Sequence, residues 1–266
     1  PPLTPAITQP DSTPETLLLG GSTAAASLLG TLSQAFQERH PEIALAGPEE
    51  PLSAAQARVK VAEGALSLAV IDGAPPQELW AAPLAVDALA VIVHADNPLH
   101  SLTLAQLRQV FTGRTWRWSE LGAPWAEDEI EVVTREAGSG TRAALEDLAL
   151  REQPGQAPMP FTTMAVLRLS SADVVAYVAE HPAAIGYVAL GTLEALQERA
   201  TVKPLAIEDV VPGPQQVASG DYFLSLPLYL VAPAEPTGAA RQFLDFCLSP
   251  AGQRLVARQY VPVREL

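Results

Sequence analysis

Short apolar runs of strand length alternate with amphipathic helical stretches along most of this chain, and that alternation narrows the fold more than any other feature. "TLLLGGSTAAASLLGTLSQAFQERHPEI" reads as a strand at 16 to 19, a turn Gly20-Gly21-Ser22-Thr23, and a helix. Leu28, Leu29, Leu32 and Phe36 share one face of that helix until Pro41 stops it. "LSAAQARVKVAEG" predicts a second helix ended by Gly64, and "ALSLAVID" a buried strand stopping at Asp72-Gly73. "APLAVDALAVIVHADN" follows as a strand and "TLAQLRQVFTG" as a helix closed by Gly113. "IEVVT" predicts a strand leading through "REAGSG" into a helix at 141 to 151, with a loop at roughly 152 to 160. "SADVVAYVAEHP" reads as a helix capped by Ser171, and "AAIGYVAL" as a strand. "YFLSLPLYLVAP" is extended and interrupted by Pro227, and Ser249-Pro250 separates two final helices. Strands alternating with helices throughout predict an α/β protein with mixed, mainly parallel sheets.

Composition sets the outer limits. At 266 residues, 48% hydrophobic and 17% charged, the chain has room for one large or two modest soluble domains. A net charge of −14 makes nucleic acid and anionic membranes poor partners, so a bound anion must be held by local groups. Cys247 is alone, which excludes an intrachain disulfide, and its apolar neighbours predict a packing role. "AAPLAVDALAVIVHA" is broken by Asp87 and falls short of the ~20 residues that span a bilayer. The opening "PPLTPAITQPDSTPE", residues 1–15, reads as an extended linker. It begins with proline and shows no signal-type hydrophobic region, which leads us to expect a trimmed chain whose targeting segment is missing, with export left open. There is no Walker-type phosphate loop, and no cofactor is expected.

Three short segments could carry chemistry. In "TREAGSGTRAALE" the amides of Ser139, Gly140 and Thr141, with two hydroxyls, lie where a helix begins, so together with Gly138 they could cradle an oxyanion. Arg135 adds a planar fork suited to such oxygens. Gly21, Ser22 and Thr23 have the same strand-to-helix setting and could face the same ligand from the other side. An ordinary serine cap would leave the same trace at either turn. Asp72 sharpens the choice: a carboxylate beside an anion repels it unless the anion brings a proton, which favours phosphate over sulfate. A plain surface turn at Asp72-Gly73 is the alternative.

Other chemistries fit less well. Ser139 lacks both glycines of a nucleophile elbow, so hydrolysis of a phosphate ester with a histidine base is disfavoured. His40, His94, His100 and His181 lack metal spacing and read as surface or loop residues. Trp116, Trp118 and Trp125 predict a packed loop.

Taken in order, "GGSTAAASLLGTLSQAF", "EGALSLAVIDGAP", "LTLAQLRQVFTGRTWRWSELG", "TREAGSGTRAALE", "AAIGYVAL", "YFLSLPLYLV" and "FLDFCLSPAGQRLVARQYVPV" resemble the phosphate-binding protein of high-affinity phosphate ABC importers. The resemblance runs over nearly the whole chain from about residue 16 and is carried most specifically by "LTLAQLRQVFTG…W" followed by "GSGTR". It implies a two-lobed type II periplasmic-binding-protein fold with two hinge crossings. Lobe I would comprise 16–86 plus 227–266, and lobe II 87–226. It also implies an oxyanion site made of Gly21, Ser22, Thr23, Ser53, Asp72, Arg135, Gly138, Ser139, Gly140 and Thr141, with no catalytic residue and no metal.

Two departures from the family pattern stand out. Many members carry a carboxylate two residues after the arginine, where this chain has Ala137, and the adjacent Glu136 is expected to point elsewhere. The Gly/Ser-rich turn before the second helix is replaced by "GPEEPLSAAQARV", in which Ser53 is the only hydroxyl available. The implied function is extracytoplasmic capture of inorganic phosphate by a monomer, for delivery to an ABC permease and its ATPase. A binder of molybdate, tungstate or sulfate, or a sensory or adhesive relative that has lost its ligand, remains open beside it.

Overall fold

A computed structural model describes residues 15–75, 77–123, 129–153, 155–196 and 200–264. The expected linker, apart from Glu15, and Trp125 lie outside the described residues. The chain runs β1 (Thr16–Gly21), α1 (Ala26–Gln37), β2 (Ala44–Ala46), α2 (Ala54–Ala62), β3 (Leu68–Asp72), β4 (Trp80–His94), β5 (Ser101–Leu102) and α3 (Leu104–Phe111). It continues β6 (Glu131–Arg135), α4 (Gly140–Leu148), β7 (Val166–Arg168), α5 (Ser171–Glu180), β8 (Ala184–Ala189), α6 (Leu190–Ala195), β9 (Val202–Pro204) and β10 (Ala206–Ile207). Last come α7 (Pro214–Ser219), β11 (Ser225–Ala232), α8 (Gly238–Leu248), α9 (Pro250–Val256) and β12 (Val261–Pro262).

A ten-stranded sheet has the order β2-β1-β3-β11-β4-β8-β6-β7, with β9 and β12 also pairing β4. Its two flanks are parallel, β2-β1-β3 on one side and β8-β6-β7 on the other. Its middle is antiparallel, because β11 returns between β3 and β4 and β8 runs against β4. The reading of an α/β protein with mixed sheets therefore holds, but the sheet is not mainly parallel: among the described residues it has four parallel pairings against five antiparallel ones. The mixture has a plain cause. Each flank is a strand-helix-strand winding, whereas the middle consists of crossings from one half to the other.

Apolar packing divides along β4. Leu84 and Ala85 belong to a core with Leu28, Leu32 and Phe36 of α1 and Phe243 and Cys247 of α8. From Ala88 to Val93 the same strand feeds a second core with Val110 and Phe111 of α3 and Val174 and Val178 of α5. These are two lobes sharing one long strand. Cys247 is fully buried, and burial pushes its thiol pKa up, as its apolar neighbours predicted.

Helix starts follow capping chemistry in some places and depart from the expected residue in others. Ser53 and Thr103 cap α2 and α3 through reciprocal boxes with Gln56 and Gln106. For α5 the cap is Ser170, whose Oγ accepts from Asp173 N at 3.0 Å; the expected Ser171 is the first helical residue instead. That shift frees the Ser171 hydroxyl.

Candidate functional site

β6 ends at Arg135, which is 1% exposed, and its position is held by Tyr187 of β8. The Arg135 backbone N–H donates to Tyr187 Oη at 3.1 Å, and that oxygen lies 3.0 Å from Thr134 Oγ1. Burial pushes the Tyr187 pKa up to about 12, so the phenol stays protonated and can serve both neighbours. The guanidinium is then gripped from several sides. Nε and Nη2 each donate to a Glu136 oxygen at 2.9 Å, Nη1 donates to Ser171 Oγ at 3.0 Å, and Nη2 also reaches Thr23 Oγ1 at 3.3 Å and the Leu169 carbonyl at 3.2 Å. Glu136 was expected to point away, and this is a correction. It folds back on its neighbour as a bidentate partner, because a buried guanidinium without a counter-charge is strongly disfavoured and Ala137 supplies none.

Five residues after Arg135, at Gly140, α4 begins. Ser139 caps it, accepting from Arg142 N at 3.3 Å, and its Oγ lies 2.7 Å from Thr141 Oγ1. The amides of Gly140 and Thr141, at the first two helical positions, have no acceptor within the helix. The Ser139 amide is already used, donating to Glu136 O at 3.0 Å. No histidine partners the Ser139 hydroxyl, so it has no general base of the kind a hydrolase would need.

Asp72, the last residue of β3, comes up against this helix start. A Cβ on Gly140 would stand 2.4 Å from Asp72 Oδ2, so the two lobes touch here and only glycine fits. Close by, Ala55 N donates to Gly138 O at 3.1 Å. Asp72 is 2% exposed. Burial raises its pKa, with Ser22, its own backbone and the Arg135 and Arg58 charges pulling the other way. The Ser22 hydroxyl lies beside it and is buried as well.

The first glycine turn differs from expectation. β1 continues through Gly21, Ser22 forms a bridge with Leu52, and α1 starts only at Ala26, with no side-chain cap. As a result Ser22 N donates to Val70 O at 2.8 Å and Thr23 N to Leu52 O at 2.9 Å. Those amides belong to the sheet and are not available to an anion; what this side offers is hydroxyls. Ser53 Oγ accepts from Gln56 N at 3.1 Å as a cap, and its own hydrogen remains to donate.

Beside this cluster lies a cleft of ≈ 710 Å³. Thr23, Ser53 and Glu136 line it, together with Ser170 and Thr192. Sequence reasoning missed Ser171, whose Oγ accepts from Arg135 and lies 3.5 Å from Thr23 Oγ1 across the lobes. The signal was the doubled serine at 170 and 171: one caps and the other is spare.

The remaining candidates stand apart from this cluster. His181 stacks on Tyr177 and His40 on Phe36, while His94 ends β4 beside Asp96. Trp118 is fully buried, whereas Trp116 is half exposed under Arg117. Among the described residues no group of three or more His, Cys, Asp or Glu is placed to hold a metal. No helix among them is long and apolar enough to cross a membrane.

Two α/β lobes that meet beside a cleft, with donors from both sides gathered round a buried acid of the first lobe, define a bilobal ligand-capture protein. A model of the PBP superfamily domain matches residues 6–251, and the chain belongs to that superfamily. The chain is 29% identical over 263 residues to the phosphate-binding protein PstS of Bacillus subtilis (strain 168), covering 94% of this chain and 81% of the relative. It is 31% identical over 213 residues to PstS of Pseudomonas aeruginosa (strain PAO1), covering 69% and 60%. Among solved structures it is similar to a putative phosphate ABC transporter substrate-binding protein with bound phosphate from Clostridium perfringens, with TM-score 0.84, 26% identity, and 94% and 100% of the two chains covered. An ABC-type phosphate transport receptor from Vibrio cholerae, 24% identical with TM-score 0.71 and 93% and 100% covered, shares the fold.

Proposed function

We propose that this chain is the solute-binding component of an ABC importer and captures inorganic phosphate between its lobes. The relatives named phosphate-binding proteins, and the neighbour with bound phosphate, support the reading. The observation that carries it is the contact of Asp72 with the start of α4. An acid buried among oxyanion donors accepts a ligand that brings its own proton and repels one that does not. On this reading Gly140 and Thr141 donate amides, while Ser22, Thr23, Ser53 and whichever of Ser139 and Thr141 does not donate to the other supply hydroxyls. Gly21 and Gly138 let the backbone pass closely, and Arg135 supplies the charge. The protein binds and hands over its ligand without transforming it.

Lobe I is proposed to comprise 16–86 and 227–266, with 87–226 as lobe II. The protein works outside the cytoplasm as a monomer and delivers phosphate to a permease driven by an ATPase. Water is replaced by fixed dipoles as the lobes close, which is why a few donors hold a hydrated anion.

A thermal-shift panel of phosphate, arsenate, sulfate, molybdate and tungstate tests the reading. A ligand at ~1,000 times its Kd stabilises by about 4 kcal/mol. Phosphate and arsenate are expected to raise Tm; a rise with molybdate or tungstate alone replaces phosphate with another oxyanion, and no rise with any ion points to a relative without a ligand.

A further inference from the structure

Ser171 is the first residue of α5 and is 1% exposed, while Thr23 stands just ahead of α1. The two helices pack into different cores, α1 with α8 and α5 with α3, so a contact between these residues crosses from one lobe to the other. Arg135 reaches both hydroxyls, with Nη1 donating to Ser171 Oγ at 3.0 Å and Nη2 to Thr23 Oγ1 at 3.3 Å. Thr192 steadies the backbone of the same turn by donating from Oγ1 to Ala24 O at 3.3 Å.

Donor chemistry gives the triangle of Arg135, Ser171 and Thr23 a direction. A guanidinium carries hydrogens and no acceptor, so both hydroxyl oxygens must accept from Arg135. The Ser171 hydrogen is then left to place, and among the described residues its hydroxyl has one further partner, Thr23 Oγ1 at 3.5 Å. The reverse direction would have Thr23 donate to Ser171 and would strand the Ser171 hydrogen in a buried position, which is costly. Thr23, by contrast, lines the cleft. With Arg135 and Ser171 donating to its two lone pairs, Thr23 keeps its hydrogen, and among the described residues no protein acceptor lies within hydrogen-bond distance of it.

We propose that Ser171 is a positioning residue for oxyanion capture: it accepts from Arg135, donates across the lobes to Thr23, and so makes the Thr23 hydroxyl an obligate donor to the ligand. The inference rests on the oxyanion reading above. An ion that mainly accepts then meets a hydroxyl that can only donate, while Asp72 serves the ligand's own proton. The 3.5 Å spacing is at the outer limit of a hydrogen bond, so the link tightens as the lobes draw together and sets the donor at the moment of capture.

The test is a pair of double-mutant cycles, read by isothermal titration of inorganic phosphate into the full chain at one fixed pH and salt concentration. Ser171→Ala is expected to weaken binding about tenfold, as is Thr23→Val, and the double variant is expected to stay within about threefold of the weaker single one, because Ser171 acts through Thr23. The second cycle joins Ser171→Ala to Ser53→Ala. Ser53 caps α2 and is not bonded to the triangle, so those two losses are expected to multiply. A merely structural role for Ser171 multiplies in both cycles. Ser171→Cys, which fills nearly the same space with a weak donor, replaces the alanine variant should that one fail to fold, with the same pattern expected. Losses that multiply with Thr23→Val overturn this inference alone, as does a Ser171 variant that binds within about twofold of the parent. A parent chain that binds no phosphate overturns the oxyanion reading, and this inference with it.

Discussion

Arg135 and Glu136 are neighbours in sequence and a two-pronged ion pair in space, with Nε and Nη2 each 2.9 Å from a carboxylate oxygen. The pair sets the plane of the guanidinium and therefore the direction of any donor left for a ligand. Glu136→Ala is expected to weaken oxyanion binding about tenfold to a hundredfold, the worth of about 1.5–3 kcal/mol for hydrogen bonds to a charged group. Adding Ala137→Asp to that variant is expected to restore most of the loss by returning a carboxylate from the next position. Titration calorimetry of the two variants decides it: a double mutant no better than the single one removes the orienting role.

Asp72→Asn replaces the proton acceptor with an amide that donates as well as accepts. Sulfate, which brings no proton, then no longer faces a carboxylate. The ratio of phosphate to sulfate affinity is expected to fall at least about tenfold, the worth of roughly 1.4 kcal/mol. Competition between the two ions followed by thermal shift measures the ratio. An unchanged ratio separates Asp72 from selectivity.

Gly140→Ala places a methyl 2.4 Å from Asp72 Oδ2. The lobes must then part, so affinity is expected to fall more than tenfold in a chain destabilised by about 1–3 kcal/mol, the range for overpacking. Small-angle scattering with and without phosphate reports the parting. A variant as compact as the parent, and as tight a binder, shows that the contact does not hold the lobes together.

Asp87 of β4 is buried, and its carboxylate accepts from Ala88 N at 2.7 Å and from Gly191 N, at the start of α6, at 3.0 Å. Burial lifts its pKa from 3.8 to about 7, against the opposing hydrogen bonds. A carboxyl raised on folding binds its proton more tightly in the native state, so the stability it contributes is full below pH ~4 and is lost as pH rises towards about 7. Asp72, also raised, acts in the same direction. Urea unfolding at pH 5 and pH 8 is expected to show the parent losing stability over that interval and Asp87→Asn losing less. The asparagine amide also has a candidate acceptor in the Tyr260 hydroxyl, which is buried against Gly191 and close enough to Asp87 to be influenced by its charge. Equal slopes for parent and variant remove Asp87 as their source.

Local chemistry wrote much of the fold legibly. Leu28, Leu32 and Phe36 kept their helical spacing, and β3 stopped at Asp72 where the turn residues said it would. What was not legible depends on distant partners. β2, β5, β7, β9, β10 and β12 are two or three residues long and exist because a neighbour pairs with them. The delayed start of α1 has the same origin: Leu52 takes the Thr23 amide and keeps the turn in the sheet. The orientation of Glu136 does not follow from its place beside Arg135; burial of the guanidinium decides it. Two adjacent serines cannot both cap one helix, and backbone entry into α5 selects Ser170, which sequence alone does not distinguish from Ser171.

The return of β11 between β3 and β4 imposes an order on biosynthesis. On a ribosome the first lobe emerges lacking the strand that joins β3 to β4, and it stays unfinished until Ala232 has been made, with α8 and α9 still to follow. The middle lobe can mature while its parent sheet is still open, so the chain's first third waits with an unsealed apolar edge for its last.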